Sequence, residues 1–222
     1  MAKQASDIID ISQVIHPGIP VWPGDTPFSI EETWSMSDDC PVLVSKMTLS
    51  TQTGTHADSH SHYEKNGVDA ADRDLMPYVG PCTVIDVSAG RGPVRADEVL
   101  PALDELGDSP RVLLRTFVEF PTTEWRSDFR PLSAEMITAL GERGAQLIGT
   151  DAPSVDPEDS KTLDAHHAVH NYDMAILEGL VLDHVSPGRY ELIALPLPIV
   201  AADASPVRAV LRTLPEPTAP HE

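Results

Sequence analysis

Short apolar runs, rich in β-branched residues and separated by turn residues, recur along the chain. Such runs predict β-strands, and they cover residues 8–11, 42–51, 81–87, 111–117, 145–150 and 190–197. Another stretch repeats its apolar residues every three or four positions, which predicts a helix over 97–106. Its apolar face consists of Val99, Leu100, Leu103 and Leu106. Pro101 is expected to limit or kink this helix, because proline lacks the amide hydrogen that a helix interior uses.

A second helix is predicted after Ser133, a residue type that caps helix N-termini well. Met136, Ile137 and Leu140 would share one face of it, and Gly144 would end it. Strands and helices mixed in this way predict an α/β or α+β fold. We expect one domain over residues 1–222, with a flexible tail at 215–222.

Residues 16–27 contain four prolines and predict a stiff loop. Trp22 lies between the turn residues of this loop. Its indole would cap the core, the commoner fate of a tryptophan, or form a wall for an aromatic substrate. The sequence leaves both alternatives open.

The charge balance excludes several classes of partner. The 222 residues carry a formal net charge of −20, which disfavours nucleic acids and anionic membranes. No apolar run has the length of a membrane span, and the N-terminus lacks the apolar core of a signal peptide. Cys40 and Cys82 have no metal-site spacing. We therefore expect a cytoplasmic protein with two reduced thiols.

Candidate chemistry concentrates in residues 52–63. His56, Asp58, His60 and His62 stand at every second position there. On an extended chain they would share one face with Gln52. Imidazole and carboxylate groups on one face suit a divalent cation such as zinc, and the carboxylate can bridge two ions. The pattern predicts a metal site, and the alternative is a polar loop without function.

Three further polar positions follow at 151–178. Asp151 opens the loop 151–156, which would either support an active site or only turn the chain. His166 and His167 are adjacent, so at most one of them can face a site. Glu178 stands inside an apolar run, and a buried carboxylate is costly unless it is paired, hydrogen-bonded or bound to metal.

With these residues in view, the chain resembles the cyclase-like metal-dependent hydrolases and, among them, the bacterial kynurenine formamidases. The similarity spans nearly the whole chain. The segments that carry it are 21–28, 53–58 with His62, 160–169, 174–179 and 203–211.

The resemblance implies a swivelling β/β/α fold, a homodimer and two divalent ions, usually zinc, with manganese as another candidate. By position, His56 would bind one metal, Asp58 would bridge both and His166 would bind the second. Glu178 would also be a metal ligand. The resemblance further implies that His62 is the general acid/base and that Trp22 lies along the substrate.

Two positions depart from this family. Gln52 stands where the family usually has a histidine, and an amide oxygen is a weaker zinc ligand than imidazole. His60 replaces a common proline and would compensate if it reached the metal. One metal instead of two, a changed metal preference and impaired activity are all compatible with Gln52.

The expected activity is hydrolysis of N-formyl-L-kynurenine to L-kynurenine and formate, a step of tryptophan degradation. One alternative is hydrolysis of another small aryl or cyclic amide, such as isatin. A second is a non-catalytic homologue that binds an aromatic ligand with an incomplete metal set. Only Gln52 favours this second alternative.

Overall fold

The computed structural model describes residues 7–214, so the predicted tail at 215–222 lies outside the described residues. This part of the chain contains eleven β-strands and three α-helices. The strands are β1 (Ile8–Asp10), β2 (Ser29–Trp34), β3 (Val44–Thr48), β4 (His56–Asp58), β5 (Val79–Asp86), β6 (Arg111–Arg115), β7 (Leu147–Thr150), β8 (Ala175–Glu178), β9 (Gly188–Ile193), β10 (Ala204–Pro206) and β11 (Val210–Thr213). The helices are α1 (Ala96–Leu106), α2 (Ala134–Glu142) and α3 (Asp164–Asn171). Short 3₁₀ turns cover His60–His62, Ala70–Asp72 and Met76–Tyr78.

Nine strands form one curled sheet in the order β1-β11-β9-β5-β6-β7-β8-β4-β10, while β2 and β3 form a separate ribbon. Strands β5 to β8 run parallel and are connected in sequence through α1, α2 and α3. The strands on both flanks of this block pair antiparallel. The predicted mixed α/β class is therefore confirmed. Within residues 7–214, no helix combines the length and apolar character that a membrane span needs.

The two faces of the parallel strands are both buried, because successive side chains alternate between them. One face packs against the three helices through Ile85, Val112, Leu114, Ile148 and Ile176. The opposite face carries Val84, Leu113, Leu147 and Leu177, which pack with Leu192 and Leu211 of the antiparallel flank. Double coverage explains why these strands appear in the sequence as near-continuous apolar runs.

All six predicted strands are present with small shifts at their ends, as β1, β3, β5, β6, β7 and β9. Both predicted helices are present as α1 and α2, and the Ser133 hydroxyl accepts a hydrogen bond from the Met136 amide at 3.2 Å. Helix α1 continues past Pro101 to Leu106, so Pro101 does not limit it, and the alternative of a kink stays a prediction. Burial of Val99 and Leu103 against the sheet compensates for the missing amide bond.

Four strands and one helix had no clear sequence signal, namely β2, β8, β10, β11 and α3, and the predicted extended run around His56 to His62 is present only as β4. Strands β4 and β10 have three residues each, which is too short to show a period. Helix α3 is largely polar, with three histidines and an asparagine among its eight residues. Long-range pairing and packing, rather than local pattern, define these elements.

Candidate metal-dependent active site

Strand β4 supplies the first ligand group of the site. It is paired on one side with β8 and on the other with β10, and His56 lies directly opposite Glu178 in the β4–β8 register. His56 and Asp58 are two positions apart, so both side chains leave the same face of the strand. The His56 Nε2 atom lies 3.3 Å from the Glu178 carboxylate and 3.6 Å from that of Asp58.

Helix α3 brings His166 to the same place. Its Nε2 atom lies 3.5 Å from Asp58 Oδ2 and 3.8 Å from Glu178 Oε1. Its Nδ1 atom donates to the Asp156 carboxylate at 2.6 Å, and Asp156 also accepts the backbone amides of Ala165 and His166 at 3.0 Å each. Asp156 thus fixes the ring from behind and caps the helix that carries it. His167 points elsewhere and pairs with Glu64 at 3.1 Å.

The buried ends of these ligands fit a divalent cation. His56 Nε2, His166 Nε2 and both Asp58 carboxylate oxygens are buried and have no hydrogen-bond partner. Buried polar atoms are rarely left unpaired, so four that converge on one point call for a further group. Two groups of three residues could each hold an ion, namely His56–Asp58–Glu178 and Asp58–His62–His166. Within each group the candidate ligand atoms all lie within 4.8 Å of one another. The two groups share Asp58, as a carboxylate bridge between two ions would require.

The electrostatics of the site also favour a cation. Burial opposes protonation of His56, but the nearby Glu178 and Asp58 carboxylates outweigh it and raise its pKa to about 9. For His166 burial is likewise outweighed, by the hydrogen bond to Asp156 and the nearby Asp58 and Glu178 carboxylates, and its pKa rises to about 10. The carboxylates therefore produce a negative potential that holds positive charge at both imidazoles.

His62 reaches the site from the 3₁₀ turn and not from β4. Its Nδ1 atom lies 3.0 Å from Asp203 Oδ2, at the start of β10. The side chain is about one-third exposed and faces the cavity described below. Burial opposes its charged form, but the bond to Asp203 and the charges of Asp58 and Glu178 raise the pKa of His62.

The prediction that His56, Asp58, His60 and His62 share one face of an extended chain is wrong. Strand β4 ends at Asp58, and the 3₁₀ turn rotates His60 out of the site. The His60 Nε2 atom lies 2.8 Å from Arg73 Nη1, and its ring stacks edge-on with His170. This placement gives no support to the idea that His60 replaces the missing family histidine.

Gln52 remains at the edge of the site. Its Nε2 atom lies 3.0 Å from Asp203 Oδ2 and 3.1 Å from His62 Nδ1. Gln52 thus contacts His62 itself and the carboxylate that His62 is bonded to.

An aromatic cavity of about 500 Å³ opens onto the ligand cluster. Trp22 lines it and packs edge-on against Trp125 at a centroid distance of 5.3 Å. Phe129 is a second neighbour of Trp22 at 6.4 Å, and Phe117 and Phe120 also line or border the same region. Trp22 is half-buried and lines the cavity, so its contact with an aromatic substrate stays a prediction.

Asp203 and Trp125 were not among the residues singled out from the sequence. Asp203 lies in the similar segment 203–211, which was the available signal for it. Trp125 had no signal, because the loop between β6 and α2 shows no periodicity. Asp151, in contrast, supports the cavity wall. It accepts the backbone amides of Thr116 and Phe117 at 2.8 Å and 3.0 Å, and burial raises its pKa to about 6.

The fold and the ligand cluster define a metal-dependent hydrolase, and comparison with known proteins specifies the class. Residues 9–157 match the family described as "Putative cyclase". The kynurenine formamidase of Maricaulis maris (strain MCS10) is 55% identical over 209 residues, which covers 93% of this chain and 98% of that protein. The kynurenine formamidase of Erythrobacter litoralis (strain HTCC2594) is 50% identical over 214 residues, with coverage of 96% and 97%. The chain belongs to the cyclase family and, within it, to the bacterial kynurenine formamidases.

Solved structures agree on the fold. A potential metal-dependent hydrolase with cyclase activity superposes with a TM-score of 0.81 at 25% identity, covering 95% of this chain and all of that chain. Isatin hydrolase A from Labrenzia aggregata, solved with benzyl benzoate bound, superposes with a TM-score of 0.82 at 25% identity, covering 94% of each chain. Both are much more distant in sequence than the formamidases.

Proposed function

We propose that this protein hydrolyses N-formyl-L-kynurenine to L-kynurenine and formate. The observation that carries the proposal is the combination of near-complete similarity to kynurenine formamidases with a metal-ligand cluster at the end of an aromatic cavity. A cavity of about 500 Å³ falls in the range of small-molecule sites, roughly 300–1,000 Å³. An aryl formamide would place its ring against the indoles and its formyl group at the ligands.

In this proposal His56, Asp58, His166 and Glu178 hold a divalent ion, with Asp58 as the bridge if two ions are bound. When bound, the ion supplies polarisation of the formyl oxygen and a lowered pKa for the attacking water. Water adds to the formyl carbon, the carbon–nitrogen bond breaks, and formate and the free aniline leave. His62 carries the proton from water to the aniline nitrogen, which is a poor leaving group until it is protonated.

Trp22 acts as the ring-binding residue in the same proposal. A loop with four prolines restricts its backbone, and the contact with Trp125 restricts its indole. A wall that is ordered before binding costs less entropy when the substrate arrives.

The remaining features of the proposal rest on the family resemblance and on ligand chemistry. Zinc is the proposed ion, since two imidazoles and two carboxylates suit a borderline metal, and manganese is the alternative. We further propose a homodimer of single-domain chains in the cytoplasm. Cys40 and Cys82 are both free thiols, in keeping with a reducing compartment.

Purified protein, with metal content measured and zinc or manganese supplied, should convert N-formyl-L-kynurenine to kynurenine. The kinetic parameters for this substrate and for isatin should be compared in one preparation. A larger kcat/KM for isatin would replace the proposed substrate by the alternative on the same scaffold. Absence of turnover on both, at full metal content, would contradict the hydrolase proposal and leave the binding-protein alternative.

A further inference from the structure

The side chains of Thr51, Gln52 and His62 all contact a single carboxylate, that of Asp203. Asp203 Oδ2 lies 3.0 Å from both His62 Nδ1 and Gln52 Nε2, and Asp203 Oδ1 accepts the Thr51 hydroxyl at 2.7 Å. Asp203 lies immediately before β10, and its backbone carbonyl accepts the Ser59 amide at 2.8 Å. The backbone of Asp203 is therefore bonded to the residue that follows β4, the strand that carries His56 and Asp58.

The donors and acceptors around the Asp203 carboxylate decide which ring nitrogen of His62 carries the hydrogen. Gln52 Nε2 also lies 3.1 Å from His62 Nδ1; the amide nitrogen can only donate, whereas Nδ1 donates or accepts according to the tautomer of the ring. A carboxylate accepts and never donates when ionised, so His62 Nδ1 must carry a hydrogen to bond to Asp203. The Gln52 amide then donates to the same oxygen, and an amide oxygen placed there instead would face the carboxylate at 3.0 Å.

We propose that Asp203, held by Thr51 and Gln52, is the positioning residue that keeps His62 protonated on Nδ1 with Nε2 free for the substrate. This inference rests on the proposed function for the identity of the substrate. It also gives Gln52 a task at the position where the family usually has a histidine. Carboxylates that orient an imidazole in this way fix both its tautomer and its direction.

An asparagine at position 203 is the sharpest probe. Asp203→Asn removes the charge and leaves one accepting oxygen, which can serve the His62–Gln52 pair only when the NH₂ group faces the Thr51 hydroxyl. An amide NH₂ facing Nδ1 would reverse the tautomer. We expect Asp203→Asn to lower kcat for N-formyl-L-kynurenine about 10- to 100-fold, with little change in KM and with metal content retained.

Asp69, which precedes the 3₁₀ turn Ala70–Asp72, supplies a matched control that contacts the loop before Asp203. Its carboxylate accepts the Ala201 amide at 2.5 Å but does not contact His62. Asp69→Asn therefore loosens the loop before Asp203 without removing the bond under test. An equal loss of kcat in Asp69→Asn and Asp203→Asn would overturn the proposal in favour of a structural role, and loss of metal in Asp203→Asn in proportion to activity would overturn it as well.

A double-mutant cycle with His62 tests whether Asp203 acts through that ring. His62→Ala alone is expected to lower kcat on the order of 10²–10⁴-fold, as for a general acid/base. Asp203→Asn should then have little further effect in the His62→Ala background. The full additional loss in that background would overturn the proposal.

A measurement on zinc-loaded protein without substrate separates this proposal from the proposed function. The ¹⁵N signals of His62, assigned by their loss in His62→Ala, should show a protonated Nδ1. In Asp203→Asn they should shift toward an unprotonated Nδ1. Wild-type signals with Nδ1 unprotonated would overturn the positioning role, even in a protein that hydrolyses N-formyl-L-kynurenine. The converse pattern, a protonated Nδ1 with no turnover, would reject the substrate alone.

Discussion

Single side chains at this site carry separable tasks, and Trp22 is the clearest case. Trp22→Ala should raise KM for an aryl formamide on the order of tenfold, about 1.4 kcal/mol, since stacked aromatic contacts contribute that much. The KM for a small aliphatic formamide should rise less, because this substrate has no ring to place against the indole. Steady-state kinetics with both substrates measures the difference.

Trp34 offers a control of the same residue type. It lies at the end of β2, is 58% exposed and does not line the cavity. Trp34→Ala should leave both KM values unchanged. Equal effects of Trp22→Ala on the two substrates would assign Trp22 to the core, the other alternative that the sequence left open.

Gln52 tests how far the family pattern applies to this chain. If an imidazole at this position can reach the metal, Gln52→His should tighten metal binding, by tenfold for each ~1.4 kcal/mol of added ligand energy. At low metal concentration, Gln52→His should be more active than the wild-type protein. Excess metal should reduce this difference in activity, because mass action fills a weak site. Metal titrations of both forms measure this.

His60→Ala is the companion variant in that titration. Because the His60 ring nitrogen is engaged with Arg73, we expect metal affinity to stay unchanged. A loss of metal in His60→Ala would mean that this ring moves into the site. No change in either variant would show that position 52 has no influence on the ligands.

At the scale of whole elements, the β4–β8 pair and the turn after it decide the site. The sequence pattern placed candidate ligands in 52–63, and His56 and Asp58 do lie in the cluster. The predicted strand extends too far, because a period of two cannot show where extended backbone stops. Because of the 3₁₀ turn at His60–His62, His62 faces the cavity and His60 points away from it. No local pattern could show that Glu178 would pair across the sheet with His56, since that register depends on long-range contacts.

Gly179 is the element-scale position where the backbone requires glycine. It follows β8 directly after Glu178 with φ +62°, and a Cβ there would lie 2.6 Å from the Gly54 carbonyl oxygen. Gly179→Ala should lower the free energy of unfolding by about 1–3 kcal/mol from strain alone. It should also reduce metal content, because relief of the contact moves Glu178.

Gly144 is the matched control, since it has φ +84° but no atom lies within 4 Å of the point that a Cβ would occupy. Gly144→Ala should therefore show the backbone strain without the collision, and full metal content. Denaturant unfolding and metal analysis of both variants give the comparison. Equal destabilisation with metal retained in both would contradict the role of Gly179 in placing Glu178.

At the scale of the whole molecule, a chain with net charge −20 encloses a ligand cluster that is itself negative. Composition sets the acidity of the chain, but it does not show where the negative potential is focused. That focus depends on Asp58, Asp156 and Glu178 being buried around two imidazoles. A cation at this point would stabilise the native state, because the unfolded chain does not assemble the cluster.

The pH dependence of that stabilisation has a definite sign. Without a cation, the pKa of His56 is raised to about 9 and that of His166 to about 10. A raised pKa contributes stability that is complete below the unfolded value near 6.5 and is lost as pH rises through 9–10. Metal binding requires these imidazoles to be unprotonated, so protons compete with the metal at neutral pH. Metal affinity should therefore rise with pH, while the contribution of the two imidazoles to metal-free stability falls.

Thermal unfolding with zinc and with chelator, at pH 6, 7 and 8, tests this prediction. The metal-induced increase in Tm should grow with pH, and a ligand at 100 times its Kd adds about 2.7 kcal/mol. Taking the difference between the two conditions removes the titration of groups that do not contact the metal. Glu178→Gln removes one proposed ligand charge and should reduce both the increase in Tm and its pH dependence. A metal-induced increase that is constant or declines from pH 6 to pH 8 would show that His56 and His166 do not bind the ion.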